Sequence, residues 1–100
     1  MKPLIVRPLA ECDLEAGRQW YEKKRRGLGS DFLLCVDDAF ERIQQNPESP
    51  AIVYRGVRRV LIRRFPYIIY YRVEFDATVI LGVLHGRQRS LLWKSRADQN

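Results

Sequence analysis

The residues from Val57 to Arg87 supply most of the sheet that this chain can form. In the middle of this run, the apolar and polar side chains alternate. One face carries Tyr67, Ile69, Tyr71, Val73 and Phe75, and the other carries Ile68, Tyr70, Arg72 and Glu74. Alternation rich in β-branched and aromatic residues is typical of a half-buried strand. The pattern therefore predicts a strand whose first face packs on a core while the second is open to solvent.

Two further strands flank this one. Residues Thr78 to Leu84 are almost continuously apolar, which is typical of a strand covered on both faces, and their β-branched members favour a strand over a buried helix. Asp76-Ala77 is short enough to form the hairpin turn. Upstream, Val57 to Phe65 mixes apolar residues with arginines and ends before Pro66, which cannot donate to a ladder. We therefore predict an antiparallel meander, with a further short strand over Ala51 to Tyr54.

The first quarter of the chain predicts a short strand and a helix. Leu4-Ile5-Val6 lies between two prolines, which an edge strand tolerates. From Leu9 the apolar spacing becomes helical, and four consecutive cations at 23–26 followed by Gly27 are typical of a helix C-terminus.

A second helix is predicted next, with Ser30-Asp31 able to cap its first turn and Asn46-Pro47 marking its end. Its core stripe comprises Phe32, Val36, Ala39, Phe40 and Ile43. The large apolar surface of the helical pair is expected to come from Trp20, Tyr21, Phe32 and Phe40. Residues 1–100 are thus expected to form one α+β domain: an N-terminal edge strand, an antiparallel helical hairpin, then a three- to four-stranded antiparallel β-meander.

Charge is distributed unevenly along the chain. Residues 1–49 carry a net charge of −1 and residues 50–100 carry +7, and nine of the ten bases in the second half are arginine. Guanidinium groups match phosphate and carboxylate geometry, so an arginine-dense sheet indicates a nucleic acid or an acidic protein as partner, unless it is merely a solvated face. The first 30 residues lack a secretory apolar run with a cleavage site, and no window reaches the roughly 18 apolar residues of a spanning helix. A cytoplasmic location is therefore expected.

Metal and disulfide chemistry are not expected. In an antiparallel hairpin, Cys12 and Cys35 would be offset by roughly 13 Å along the helix axis, whereas a disulfide needs Cα atoms within about 7 Å. Two lone cysteines and one histidine also fall short of a zinc site. We therefore expect two free thiols, no metal and no cofactor.

One cluster could support catalysis. His85 and Arg87 end the last predicted strand, and strand pairing is expected to bring them near Arg63, Arg64 and Arg72. An imidazole among guanidiniums could cleave a phosphodiester without a metal, because a base can take the 2′-hydroxyl proton while arginines stabilise the transition state. The alternative is that His85 is a structural hydrogen-bonding residue.

The ordered motifs of the chain resemble the RelE/ParE superfamily of bacterial toxins, over nearly the whole length. The motifs are Ala10-x-x-Asp13-Leu14, Trp20-Tyr21-Glu22, Gly27-Leu28-Gly29-x-x-Phe32, Asn46-Pro47, Arg64-Phe65-Pro66-Tyr67-x-Ile69-x-Tyr71 and Val83-x-His85-x-Arg87. The resemblance implies a type II toxin–antitoxin system, in which the toxin halts growth and a labile antitoxin wraps around it.

The superfamily has two modes of action. Members similar to RelE cut mRNA on the ribosome with a basic cluster that includes an arginine on the middle strand, another at the end of the last strand, and a C-terminal tyrosine. Arg87 matches the second position, but the first falls at Ile68, and the C-terminal segment has Trp93 and no tyrosine. The resemblance therefore favours the ParE-like branch, whose studied members poison DNA gyrase without being nucleases. Two alternatives stay open: a ribosome-dependent mRNA endonuclease using His85 and Arg87, and a non-toxic nucleic-acid-binding module that stacks bases on Tyr70.

These interpretations assign two surfaces. The surface that binds the target or nucleic acid is expected to comprise Arg63, Arg64, Arg72, Arg87 and Arg89. An acidic, amphipathic antitoxin segment is expected to cover the helical hairpin together with Ile68, Tyr70 and Arg58.

Overall fold

The computed structural model describes residues 2–87 and 90–98, which form three helices and five strands. In chain order these are β1 (Leu4–Val6), α1 (Pro8–Lys24), α2 (Leu28–Gln45), β2 (Ile52–Tyr54), β3 (Val57–Leu61), β4 (Tyr67–Val73), β5 (Thr78–His85) and α3 (Ser90–Ala97). The strands form one sheet in the order β1-β5-β4-β3-β2. Strands β2 to β5 are an antiparallel meander, and β1 pairs in parallel with β5 at the edge. The predicted α+β class and element order are confirmed, and α3 is an element that the sequence did not predict.

The helical hairpin is closed by a carboxylate from the first helix. The Glu22 carboxylate accepts hydrogen bonds from the backbone N–H groups of Gly27 and Gly29, each at 3.0 Å. These donors hold the pKa of Glu22 below its ordinary value, because they stabilise the charged form. Gly27 has φ +88°, a left-handed conformation that glycine adopts without strain. The predicted cap at Ser30-Asp31 is therefore wrong: α2 begins at Leu28 and Glu22 caps it.

The main core lies between the two long helices and one face of the sheet, here called the inner face. Phe32, Tyr21, Phe65 and Tyr67 pack there as an aromatic cluster with ring centroids 4.7 to 5.9 Å apart. The predicted α2 stripe is buried except for Phe40, which is only partly buried. Trp20 is 57% exposed on the outside of α1, so the expectation that it packs within the hairpin is wrong.

The opposite face of the sheet, the outer face, is covered by α3. Trp93 stacks on Tyr70 with ring centroids 4.7 Å apart and planes 12° from parallel, and Tyr70 is 5% exposed. A second core cluster surrounds this pair. The middle of β4 is therefore buried on both faces, which contradicts the half-buried prediction. The prediction that β5 is covered on both faces is confirmed.

Two strand ends differ from the expectation. β4 ends at Val73 and the connection to β5 is four residues long, with the Glu74 N–H donating to the Ala77 carbonyl at 2.8 Å. Phe75 consequently lies in this turn, 97% exposed, and is not part of the inner face. β3 ends at Leu61 before the chain turns, so its predicted extension to Phe65 is also wrong.

Both thiols are free: Cys12 is exposed and Cys35 is partly buried. Within residues 2–87 and 90–98, no group of three His, Cys, Asp or Glu side chains could hold a metal ion. In the same part of the chain, no helix combines the length and the apolar character needed to cross a membrane.

Candidate functional site

His85 lies at the end of β5, directly opposite Tyr67 of β4, and both side chains are on the inner face. Their rings meet edge to face with centroids 5.5 Å apart. The Arg87 backbone N–H donates to His85 Nδ1 at 3.0 Å. Because Nδ1 is the acceptor, the neutral imidazole carries its proton on Nε2 in this geometry. A cleft of about 320 Å³ opens here, lined by Asp13, Ala16, Gly17, Trp20, Tyr67, Val83, Leu84 and His85.

Arg63 and Arg64 lie at the same end of the sheet, in the connection between β3 and β4. This connection is tied to the end of β5, since the Gly86 N–H donates to the Pro66 carbonyl at 2.8 Å. Arg63 Nη1 is 3.8 Å from the Asp38 carboxylate and Arg64 Nη2 is 3.7 Å from that of Asp31. Both guanidiniums are exposed and only loosely paired, so they are free to meet a partner.

Arg64 also has φ +71°, a left-handed backbone conformation that costs a non-glycine residue about 1–3 kcal/mol. Burial of the next residue, Phe65, holds this conformation in place. Because this backbone conformation is fixed, the direction in which the Arg64 side chain projects from the surface is fixed as well. Exposed Arg87 completes a cationic end of the sheet with Arg63 and Arg64.

Arg72 is not part of this cluster, and the prediction that it lies near His85 is wrong. It stands five residues from Tyr67 along β4, which is roughly 17 Å at the rise of a strand. Its Nη2 donates to the Ala97 carbonyl at 2.7 Å, so its positive charge faces the C-terminal end of α3. Arg72 therefore helps to hold α3 on the sheet.

The residues predicted to meet the antitoxin occupy three different environments. Tyr70 is covered by Trp93, which also removes it as an exposed platform for stacking a base. Arg58 donates to the carbonyls of Glu48 and Pro50, at 2.9 and 2.5 Å, and so fastens the loop before β2. Ile68 is partly exposed on the outer face. Arg89 lies outside the described residues.

A buried ion pair that the sequence did not reveal joins α1, β5 and α3. Arg96 Nη2 donates to Asp13 Oδ1 at 3.1 Å and Arg96 Nη1 donates to Asp13 Oδ2 at 2.5 Å, and the two side chains are only 11% and 12% exposed. Asp13 also accepts the Val83 N–H at 3.0 Å, and Arg96 donates to the Leu81 carbonyl at 3.3 Å. Strand β1 pairs with β5 only as far as Ile80. Beyond the end of β1, the Asp13 and Arg96 side chains bind the backbone groups at the edge of β5. We call this arrangement the Asp13–Arg96 clamp.

The comparisons with known proteins agree with this fold. Residues 4–90 match the family described as ParE toxin of type II toxin-antitoxin system, parDE. The chain belongs to this family. The family resemblance predicted from the sequence is therefore confirmed, and it is the ParE branch that matches.

Individual proteins similar to this ParE-family chain match it over part of its length or at low identity. Toxin ParE2 of Mycobacterium tuberculosis, in strains CDC 1551 / Oshkosh and ATCC 25618 / H37Rv, is 35% identical over 57 residues, which are 57% of this chain and 54% of the relative. The chain thus spans about half the length of the curated relatives that it matches. A solved structure, the chromosomal ParDE TA system from P. aeruginosa, has a TM-score of 0.65 and 22% identity, covering 85% of this chain and 96% of that one. This likeness supports the fold.

Several motifs that indicated the ParE family prove to be packing and capping features. Asp13 belongs to the clamp, Glu22 caps α2, and Phe32 lies in the aromatic cluster. Gly29 is required because a Cβ there would lie 2.6 Å from the Arg18 carbonyl oxygen. The sequence contained the signal for Asp13, in the first motif, but no pattern marked its partner Arg96.

Proposed function

We propose that this chain is the toxin of a type II toxin–antitoxin system, that it arrests bacterial growth by binding and inhibiting DNA gyrase, and that a cognate antitoxin neutralises it. The observation that carries this proposal is the match of residues 4–90 to the ParE toxin family, which includes both long helices and the entire sheet.

The geometry around His85 favours binding over RNA cleavage. Metal-free cleavage needs a base, an acid and transition-state cations that converge on one phosphate. Here Arg72 is bound to α3 and the position of the central arginine of RelE-like enzymes is occupied by Ile68, so two cations expected of a cleaving site are not beside His85. His85 Nδ1 already accepts a backbone N–H, so that nitrogen is not available to act as the base.

The target-binding surface in this proposal is the cationic end of the sheet formed by Arg63, Arg64 and Arg87. All three are exposed, and two of them make only long ion pairs to α2. Exposed guanidiniums steer and orient an acidic partner more than they contribute to raw affinity. Arg72 is left out of this surface because it holds α3, and the assignment of Arg89 stays a prediction from the sequence.

The antitoxin is proposed to carry an acidic, amphipathic segment that lies on the uncovered part of the outer face. Leu61 pairs with Ile68 across β3 and β4, and Leu61 is 65% exposed. Arg59, two residues from Leu61, lies on the same face and is exposed. An apolar strip beside a cation fits a helix with one apolar and one acidic side. This strip replaces the larger surface with Tyr70 and Arg58 that the sequence suggested.

Tightly controlled expression in a bacterium tests the proposal. We expect growth arrest that is relieved when the antitoxin is co-expressed, and inhibition of supercoiling by purified gyrase in the presence of the purified chain. Arg63→Ala combined with Arg64→Ala should weaken gyrase inhibition. Arg55→Asn is the control for the loss of one exposed charge elsewhere, because Arg55 is about as exposed as Arg63. Asparagine tolerates the left-handed φ of Arg55.

Three results would contradict the proposal. Arrest accompanied by mRNA cut at the ribosomal A site, with gyrase unaffected, would assign the chain to the RNA-cleaving mode. A folded chain that causes no arrest but binds single-stranded RNA, with affinity falling steeply in rising salt, would make it a nucleic-acid-binding module. Equal loss of activity in the control and in the Arg63 Arg64 variant would show that the cationic end of the sheet is not part of the target interface.

A further inference from the structure

The cationic end of the sheet continues onto the tip of the helical hairpin. Arg25 follows the last residue of α1, and Arg64 lies in the connection between β3 and β4. The Nη2 atoms of these two arginines are 3.8 and 3.7 Å from the same oxygen atom, Oδ2 of Asp31. The hairpin tip and the sheet end therefore form one continuous surface. We call it the basic surface, and its exposed cations are Lys24, Arg25, Arg63, Arg64 and Arg87.

The negative charges near these cations are few and loosely paired with them. In the described part of the chain, the carboxylates of Asp31 and Asp38 face the basic surface at N–O distances of 3.7 to 3.8 Å. Asp38 is also shared with Arg42, at 3.4 Å. The Glu22 carboxylate accepts backbone N–H groups of the hairpin instead, and Asp13 is paired within the clamp. The basic surface thus keeps a net positive charge spread over two elements, which suits a chain of repeated anions.

An exposed tryptophan adjoins the basic surface. The Trp20 indole is 57% exposed, and the Lys24 ammonium lies over it, 4.4 Å from the ring centroid. The same indole borders the cleft of about 320 Å³ together with Tyr67 and His85. Clefts that bind small molecules usually measure about 300–1,000 Å³, and most side chains that line this one are apolar or aromatic. The cleft therefore gives a flat ring a place to stack beside a cation.

We propose that the basic surface and the Trp20 cleft bind single-stranded DNA. The phosphates lie along the guanidiniums, and one unpaired base stacks on the indole, where Lys24 meets the phosphate of that nucleotide. Proteins that bind single strands combine a cationic path for the backbone with aromatic side chains for the bases. An acidic peptide would supply negative charges without a flat ring beside each one, and a duplex would keep its bases stacked on one another.

A purely structural role explains only part of this surface. Lys24 and Arg25 lie at the C-terminal end of α1, where positive charge complements the helix dipole. The arginines at the end of the sheet have no such role. The dipole also gives no reason for an exposed indole beside the cleft, whereas a stacked base does.

Single-stranded RNA has the same phosphates and similar bases, so the choice of DNA rests on the proposed function. Gyrase holds DNA, and a toxin bound to gyrase therefore lies beside DNA. The two inferences are tested separately, because binding of an oligonucleotide is measured without gyrase.

Fluorescence anisotropy with a labelled oligothymidylate of about 12 nucleotides tests the site on the purified chain. At physiological salt we expect a dissociation constant of about 1–100 μM, which is the range of non-specific binding. The logarithm of the affinity should fall linearly with the logarithm of the salt concentration. The slope should be about −2, since each of three phosphate contacts adds about −0.7 for a single strand. A duplex of the same length should bind less tightly.

Substitutions separate the base contact from the phosphate contacts. Trp20→Ala should weaken binding about tenfold without changing the salt slope, and Trp20→Phe should keep most of the affinity. Lys24→Ala combined with Arg87→Ala should instead flatten the slope by about 1.4, the share of two phosphates. Phe75→Ala and Arg55→Asn are the matched controls, since they remove an exposed ring and an exposed arginine at the opposite end of the sheet. Thermal unfolding confirms that each variant folds.

Several results would overturn the proposal. They are a salt slope near zero, a Trp20→Ala variant that binds like wild type, and a duplex bound more tightly than the single strand. An oligouridylate bound more than about tenfold tighter than the oligothymidylate would assign the site to RNA in place of DNA. A chain that inhibits gyrase but does not bind the oligonucleotide overturns this inference alone, whereas a chain that binds it without inhibiting gyrase overturns only the proposed function.

Discussion

Removal of the Asp13 carboxylate should destabilise the chain far more than removal of an exposed carboxylate on the same helix. Asp13→Ala leaves the Arg96 guanidinium, whose side chain is 11% exposed, without its counter-ion. It also removes the acceptor of the Val83 N–H. Breaking a buried ion pair by removing one partner costs about 3–5 kcal/mol. A domain of this size has a free energy of unfolding of about 5–15 kcal/mol, so much of the margin would be lost.

Equilibrium unfolding in urea, followed by circular dichroism, measures this loss. The control is Glu15→Ala, which breaks the exposed pair of Glu15 with Arg18 on the same helix and should cost far less, because water screens the pair. Arg96→Met and the double variant complete a mutant cycle, in which the double variant should be more stable than the sum of the single losses predicts, by about 0.5–3 kcal/mol.

Equal losses in Asp13→Ala and Glu15→Ala would refute the reasoning, because the clamp would then behave like a surface pair. Strict additivity in the cycle would also refute it, since it would mean that Asp13 and Arg96 act on stability separately. A large loss of stability, with strong coupling between the Asp13 and Arg96 substitutions, would instead show that this pair attaches α3 to the rest of the molecule.

Three further predictions concern other parts of the molecule. Phe32→Ala should lower the free energy of unfolding by about 3–5 kcal/mol, because the ring is fully buried, whereas Trp20→Ala should change it by less than about 1 kcal/mol; urea unfolding compares them. The pKa of Glu22 is lowered by two backbone N–H groups at the start of α2, so its contribution to stability is full above the ordinary value near 4.5 and is lost as the pH falls through the lower folded value. Unfolding at pH 6 and pH 3 should therefore show a larger acid loss in wild type than in Glu22→Gln, and equal losses would show that this cap does not depend on charge. His85→Ala and Arg87→Ala should each weaken gyrase binding by less than about tenfold, measured by calorimetry; abolished activity with unchanged target binding would instead identify catalysis.

The parts of the fold that the sequence predicted well are those with a strong local period. The unbroken apolar run of β5 predicted a strand buried on both faces. The apolar stripe of α2 predicted a helix buried along one side. In α1, whose helical spacing from Leu9 was also predicted, the buried residues are Ala10 and Gly17. Turn and strand ends were less accurate, since the Glu22 cap comes from a neighbouring helix and does not obey a local rule.

The errors at the candidate site share one cause, which is that α3 was not predicted. This helix is eight residues long and buries Trp93 and Ala97 while Leu91 and Leu92 stay exposed, so it has no apolar stripe of useful length. Without α3, the outer face of β4 looks open. Tyr70 then looks like a binding residue. Arg72 was misplaced in the same way, because its partner is a backbone carbonyl at the end of that helix.

The pairing of the first strand with the last one limits the order in which the chain can acquire its structure. β1 lies near the start of the chain but pairs with β5, and the two clamp contacts of Asp13 join residues 70 and 83 positions apart. The helical hairpin can form during synthesis from local contacts alone, whereas pairing of such distant residues must wait for almost the whole chain. A ribosome carrying an unfinished chain therefore displays a hairpin with an uncovered apolar face. The native sheet needs the residues up to His85 and the clamp needs Arg96, so chains truncated before Arg96 should unfold more easily than the complete sequence.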